Sequence, residues 1–269
     1  MAANSVSARD ISLLRAVLDL ARPDRTAPAE KGMLRALELM RGIVGCESAE
    51  FMHHNAGDFT VSYRQYVDDN EVTVVPPEEL AADMDEPGVH LLHEGWWTGR
   101  CSLIERTGRR VVTTSRAGRS EREWAQNPLH LEYLTFADEI IMGFPLSTFR
   151  TLRILLPRET GSPFGQREIT LMEMLLPHLQ PLMTAAYQEG VQTDVMPTPT
   201  TLTRRQQEIL GLVRLGMPNR RIGRIFGISE GTVRKHLENT FERLGVQSRT
   251  AAVAVAFGEQ AFAEPAATG

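Results

Sequence analysis

Arg234, Lys235 and Glu238 carry the chemistry needed to read nucleic-acid bases. A guanidinium or an ammonium suits the acceptors on a guanine edge, and a carboxylate can accept from cytosine. Helical neighbours lie three and four residues apart, so these three would form one patch. Val233, Leu237, Phe241 and Leu244 recur on the opposite side of the same stretch. One face is therefore suited to packing and the other to entering a groove. Arg220, Arg221, Arg224, Arg243 and Arg249 supply cations for the phosphates around such a groove, and Ser229, Thr232 and His236 add polar groups beside them.

The surrounding residues define the elements that would hold this patch. Thr203 can cap a helix, and Gln206 three residues on completes a capping box. Ile209, Leu210 and Val213 follow at helical spacing. Gly216 stops that helix and Pro218 suits the first turn of the next, which buries Ile222, Ile225 and Phe226. Gly227 permits a tight turn, Ser229 caps a third helix, and Glu230 in its first turn meets the positive end of the dipole. Gly245 ends the third helix, and Ser248 begins a short fourth one rich in Ala and Val.

This stretch resembles the LuxR-type helix-turn-helix, a bacterial DNA-binding domain. The resemblance rests on Leu202-Thr203, Arg205, Ile209-Leu210, Gly216, Asn219, Ile222, Ile228-Ser229, Thr232-Val233, His236, Leu244-Gly245-Val246 and Ser248-Arg249. Gln206, Pro218 and Gly223 depart from the family's common Glu, Ser or Thr, and Ala. Gln still serves a capping box and Pro still starts a helix. Gly permits close helix contact at a cost of about 1 kcal/mol in helix propensity. The fourth region of a sigma factor shares part of the pattern, but the ending from Leu244 to Arg249 favours LuxR. The other competing reading is a four-helix interaction module. The resemblance implies double-stranded DNA as partner, base contacts from Arg234, Lys235 and Glu238, and a homodimer.

Other candidate chemistries are less complete. His53-His54 and His90-x-x-His93-Glu94 contain zinc-ligand types, but no further motif completes a set, so no metal or other cofactor is expected. No nucleophile elbow is present, and no catalytic residues are assigned. A phosphorylatable receiver is excluded, because the chain opens on helices and its only lysines are Lys31 and Lys235. The acyl-homoserine-lactone sensors have a Trp, Tyr and Asp constellation whose spacing Trp96-Trp97 and Asp138 do not match. Trp96, Trp97, Trp124, Tyr133, Phe136 and Phe144 could line a ligand cavity or fill a core.

Charge divides the 269 residues unevenly. Residues 201–258 contain ten Arg or Lys against four Glu, which leaves eleven excess negative charges on the remainder of a chain of net −5. Only the C-terminal part is thus expected to touch nucleic acid. Apolar residues make up 42%, enough for two cores, with no stretch long enough to span a membrane. The first residues lack a secretory pattern. Cys46 and Cys101 form neither a disulfide framework nor metal-type spacing, which fits a reducing cytoplasm.

The first part predicts amphipathic helices over 8–20 and 30–44, separated by Pro23 and Pro28. Alternation predicts strands over 48–53 and 58–67, with a hairpin turn at Asn55-Ala56-Gly57. Segments 72–75 and 111–114 have strand character, and 89–97 is more apolar than its neighbours. An exposed loop or helix is expected over 116–126 and a short helix over 129–136. Two strands over 139–146 and 148–156 precede a long helix over 164–187, which Pro177 and Pro181 should bend. The expected architecture is an α+β domain with an antiparallel sheet flanked by helices, followed by an all-α four-helix domain. Asn127-Pro128-Leu129 to Tyr133, residues 138–145 and Phe164-Gly165 with the helix after it make residues 30–187 similar to the GAF- or PAS-like sensor half of actinobacterial LuxR-type regulators. The expected division is a sensor and dimerisation domain over 1–189, a linker over 190–201, a DNA-binding domain over 202–258 and a flexible tail over 259–269. A small-molecule ligand and RNA polymerase are the further partners this implies. A first domain that binds only a protein, or a small metallohydrolase fused to the DNA reader, are the alternatives.

Overall fold

The computed structural model describes residues 6–22, 27–56, 60–75, 80, 99–127, 130–131, 136–147, 149–190, 202–214 and 216–257, apart from the side chains of Arg204 and Phe257. The chain divides into two compact units, with the main break after Thr193. The expected linker, save Gly190, and the expected tail lie outside the described residues, as do segment 89–97 and Gly57 of the expected turn.

The first unit opens on α1 (Ala8–Leu20) and α2 (Ala29–Val44). Ser7 and Asp10 form a reciprocal capping box at the start of α1. The Asp10 carboxylate also meets Arg167 at 2.5 Å, and that guanidinium holds the carboxyl at about 2. Arg167 belongs to α5 (Gln166–Gly190), so one ion pair ties the first helix to the last helix of the unit.

Six strands form one sheet in the order β3-β2-β1-β6-β5-β4, and every described pairing is antiparallel. They are β1 (Ala49–Asn55), β2 (Thr60–Val67), β3 (Val72–Val74), β4 (Val111–Thr114), β5 (Asp138–Pro145) and β6 (Arg150–Arg158). The central pair, β1 with β6, joins Glu50 to Leu155 and Asn55 to Arg150. Between His53 and His54 the register with β2 shifts, leaving Ser62 as the extra residue of a bulge. The Ser62 hydroxyl lies 2.6 Å from His53 Nδ1.

Strand alternation separates two faces. Phe51, Met142, Phe144, Leu152 and Ile154 are buried in one cluster with Leu37 and Met40 of α2 and Leu175 and Leu179 of α5. Each such side chain contributes roughly 1.5–3 kcal/mol by leaving water. Two short helices follow β3 in the chain: α3 (Leu103–Thr107) comes before β4, and α4 (Glu121–Ala125) comes between β4 and β5. Ser120 caps α4 and Glu123 completes its capping box, so residues 116–126 hold a helix only in their second half. Of the helix expected over 129–136, only His130 and Leu131 are described as helical.

Several boundaries differ from the alternation pattern for identifiable reasons. Strand β5 begins one residue early at Asp138, whose carboxylate accepts the backbone N–H groups of Glu139 at 2.9 Å and Phe164 at 3.1 Å. Strand β6 starts and ends two residues later than expected. Leu146 and Ser147 both donate to the Arg150 carbonyl and so belong to the turn. Helix α5 runs unbroken past both prolines. Each proline removes one helical N–H, and the carbonyls it leaves belong to Glu173 and Pro177, both exposed residues that water can serve. No helix among the described residues is long and apolar enough to cross a membrane.

Candidate nucleic-acid interface

The second unit contains α6 (Arg204–Arg214), α7 (Asn219–Phe226), α8 (Glu230–Leu244) and α9 (Arg249–Phe257). Helix α6 starts at the expected capping box: Thr203 N–H donates to Gln206 Oε1 at 3.0 Å, and Gln206 N–H donates to Thr203 Oγ1 at 3.3 Å. Gln206 is buried, and the same Oε1 accepts from Arg243 Nη1 of α8 at 3.1 Å. One amide thus caps one helix and fixes another. Arg205 lies 3.9 Å over the Phe226 ring and pairs with Glu208 at 3.0 Å. It fastens the end of α7 to α6.

The turn from α7 to α8 is unusually close. Gly227 takes the left-handed conformation at φ 64°, and Ile228 N–H donates to the Gly223 carbonyl at 2.9 Å. A Cβ added at Gly223 would stand 2.7 Å from the Ile228 carbonyl oxygen. The glycine at a position where the resembled family commonly has Ala is therefore matched to a tighter backbone approach.

Ser229 caps α8, its hydroxyl accepting from Thr232 N–H at 3.0 Å. The two hydroxyls lie 2.8 Å apart. Val233, Leu237 and Thr240 form the buried stripe, while Phe241 and Leu244 are only half-buried. Thr240 tolerates burial because its hydroxyl donates to the His236 carbonyl at 2.7 Å. On the other side Arg234, Lys235 and Glu238 are all exposed, with Lys235 Nζ 3.6 Å from Glu238 Oε2. The three form the single outward patch that their spacing requires.

The eight expected phosphate contacts separate into groups. Arg220, Arg221 and Arg224 are exposed on α7. Ser229 and Thr232 form the exposed cap of α8, and His236 is half-buried on the same helix. Arg243 is exposed and Arg249 half-buried, and each also bonds within the unit. Arg249 donates to Asn219 Oδ1 at 3.0 Å and to the Met217 carbonyl, which clamps α9 to the start of α7. The spacing of Asn219 and Arg249 gives no hint of this contact, because thirty residues separate them.

The aromatic residues considered for a pocket are dispersed. Phe144 is fully buried in the core between sheet and helices. Trp124 is buried outside that cluster, with the Arg116 guanidinium 5.6 Å and the His130 ring 4.8 Å from its ring centre. Phe136 is half-buried, and Trp96, Trp97 and Tyr133 lie outside the described residues. Among the described residues no three His, Cys, Asp or Glu side chains are grouped to hold a metal ion. His90, His93 and Glu94 are not described.

The face of the sheet away from the apolar core carries a polar cluster that sequence reasoning missed. Helix α3 rests on this face at Gly143, where an added Cβ would be 2.3 Å from Ile104 Cδ1 and 2.9 Å from the Leu152 carbonyl oxygen. Glu105 of α3 is buried and ion-paired with Arg153 of β6 through Oε1. Arg153 also donates to the Cys101 carbonyl at 2.8 Å and to Thr151 Oγ1 at 2.9 Å. His54 Nδ1 stands 3.9 Å from Glu105 Oε1. Glu105 Oε2 is buried with no hydrogen-bond partner among the described residues. Nearby, burial pushes the Glu139 carboxyl up to about 8, although Ser115 donates to it at 3.0 Å. Burial also pushes the Cys101 thiol up to about 12.

Residues 200–256 match the family of bacterial regulatory proteins, luxR family. A putative HTH-type transcriptional regulator of Escherichia coli, YhjB, is 48% identical over 52 residues, which is 19% of this chain and 26% of that protein. The monoamine regulon transcriptional regulator of Klebsiella aerogenes is 35% identical over 88 residues, 33% of this chain and 37% of that protein. The matched stretch spans about a quarter of the length of the first curated relatives. Among solved structures, E. coli SdiA aligns over 94% of this chain and 99% of its own, at 14% identity and a TM-score of 0.38. A phycoerythrobilin-bound GAF domain from a cyanobacterial phytochrome aligns over 68% of this chain and 99% of its own, at 13% identity and a TM-score of 0.41. Both structural likenesses are distant.

Proposed function

We propose that the luxR-family helix-turn-helix domain at residues 200–256 makes this chain a sequence-specific, double-stranded-DNA-binding transcriptional regulator. The observation that carries the reading is α8. It buries Val233, Leu237 and Thr240 and presents Arg234, Lys235 and Glu238 outward, beyond a turn closed by Gly223 and Gly227. In this reading α8 enters the major groove, Arg234 and Lys235 read guanine, and Glu238 accepts from cytosine. Arg220, Arg221, Arg224 and the capped start of α8 at Ser229 and Thr232 hold the phosphates, with His236 beside them. Arg243 and Arg249 keep the helices in place.

One such helix reads few bases, so the working form is a homodimer on two half-sites of near-palindromic sequence. The dimer forms through α9, or through α1 and α5. The first unit is a GAF-like sensor whose small-molecule ligand sets DNA affinity or contact with RNA polymerase. The cytoplasm is the compartment where such a regulator meets its promoter.

Selection of bound duplexes from a random pool, followed by titration over a range of salt, tests the DNA reading. Enrichment of a paired half-site is expected, with affinity falling as salt rises by a log–log slope of about −0.9 per phosphate neutralised. Equal recovery of all sequences, or affinity indifferent to salt, would refute it.

A further inference from the structure

We infer that the polar face of the sheet binds a small neutral molecule, and that Glu105 Oε2 accepts a hydrogen bond from an amide N–H or a hydroxyl of that molecule. The inference rests on the reading of the first unit as a sensor, and it supplies the site and the chemical class.

The argument begins with an imbalance inside one buried ion pair. Arg153 has its needs met: its nitrogens reach Glu105 Oε1, Thr151 Oγ1 and the Cys101 carbonyl. The carboxylate does not. Its Oε1 faces Arg153, the Thr151 hydroxyl at 3.4 Å and His54 Nδ1 at 3.9 Å, while Oε2 has no donor among the described residues. A buried ionised acceptor without a donor is among the costliest groups a folded chain can keep. Simple structure does not require it, because an apolar pair of the same volume would stabilise this position as well or better.

The placement of α3 looks built for the purpose. Gly143 lets Ile104 press onto β5, and the next residue, Glu105, is thereby set over β6. Two further elements converge on the carboxylate that α3 carries: β6 and, through His54, β1.

The charge of the surroundings selects the class of ligand. Glu105 and Arg153 neutralise each other. Thr151, Ser115 and the Cys101 thiol add no charge, and burial keeps the Glu139 carboxyl protonated at neutral pH. An anion would bring its negative charge against the open oxygen of the Glu105 carboxylate. A cation would unbalance a neutral cluster. A neutral N–H or O–H donor satisfies Oε2 and leaves the balance intact, and a hydrogen bond to an ionised acceptor is the stronger kind.

Thermal unfolding of the full-length protein with straight-chain primary amides, each paired with its N,N-dimethyl derivative, tests this. The dimethylamide keeps the carbonyl and the apolar chain and lacks the donor. Primary amides are expected to raise the unfolding temperature saturably, and each dimethyl partner to need a roughly tenfold to hundredfold higher concentration. In E105Q the difference within each pair is expected to collapse. Equal shifts from both members, or no shift from either, would overturn the inference and leave Oε2 to water. If E105Q does not fold, the paired comparison on the wild-type chain still decides. DNA affinity measured on the same samples separates the two readings. Amides that bind selectively without changing DNA affinity would uphold the Glu105 site and sink the sensor reading. Normal DNA binding with no amide response would overturn the site alone.

Discussion

The two units place charge in opposite ways. The second keeps Arg220, Arg221, Arg224, Arg234 and Lys235 exposed, and Gln206 and Thr240 are its buried polar residues among those described. The first unit buries Asp138, Glu139, Glu105 and Arg153 at the sheet. Outward charge costs the fold little and acts at a distance on a polyanion. Inward charge costs desolvation and has effect only at a fixed geometry. Arginine fills both roles here and a third between them. Arg234 faces solvent, Arg153 neutralises a buried carboxylate, and Arg249 clamps two helices.

Arg153→Met offers the hardest test of that contrast. It leaves Glu105 charged and buried without its cation, and a loss of about 3–5 kcal/mol is expected in denaturant unfolding. A loss below about 1 kcal/mol would mean that the pair is not desolvated in solution.

A smaller effect comes from pH. The folded Glu139 carboxyl sits at about 8, against about 4.3 for an unperturbed glutamate. Its raised value favours the folded state fully below the unfolded value, and that contribution disappears as pH rises through about 8. Asp10, held at about 2, has the opposite sign: its contribution is present above the unfolded value of about 3.9 and is lost as pH falls toward 2. Unfolding of the first unit, followed by temperature, should therefore weaken by a few kcal/mol between about pH 5 and about pH 9. In Glu139→Gln this slope should flatten. Stability that rose over the same interval would contradict the assignment.

Within the second unit, Arg249→Ala removes charge-assisted bonds to Asn219 and Met217 and should cost about 1.5–3 kcal/mol of stability. The salt slope of DNA binding should stay as it was. A slope reduced by about 0.9 would show that Arg249 also holds a phosphate. Arg234→Ala is the mirror case: stability within about 0.5 kcal/mol of wild type, and DNA affinity about 1–3 kcal/mol weaker with specificity relaxed at one base. Identical selected sites for variant and wild type would remove Arg234 from the reading face.

How much of this was legible in the chain depended on distance along it. The four helices of the second unit are declared by caps, glycine stops and apolar spacing within a few residues of each boundary, so their order and the outward patch on α8 could be read directly. The clamp from Arg249 to Asn219 could not, because each residue alone looks like an ordinary surface side chain. In the first unit the pattern of residues 48–53 and 148–156 marked strands but not that they pair with each other across about a hundred residues. The polar cluster was invisible for the same reason. His54, Glu105 and Arg153 come from three elements, and no local pattern joins them. Phe144 was readable as an aromatic on a strand. Which face it took depended on where the sheet met the helices.

The prolines of α5 bear on how two copies of this chain could meet. A ridge where the carbonyls of Glu173 and Pro177 lose the N–H that a proline cannot supply needs water or another donor to serve them. Pressing it dry against a twin would strip those oxygens of their water and return nothing. A symmetric seam along this part of α5 would therefore have to be wet, with ordered solvent bridging the copies, or bring its own donors from the facing helix. Helix α9, with small Ala and Val side chains and an uninterrupted backbone, carries no such debt.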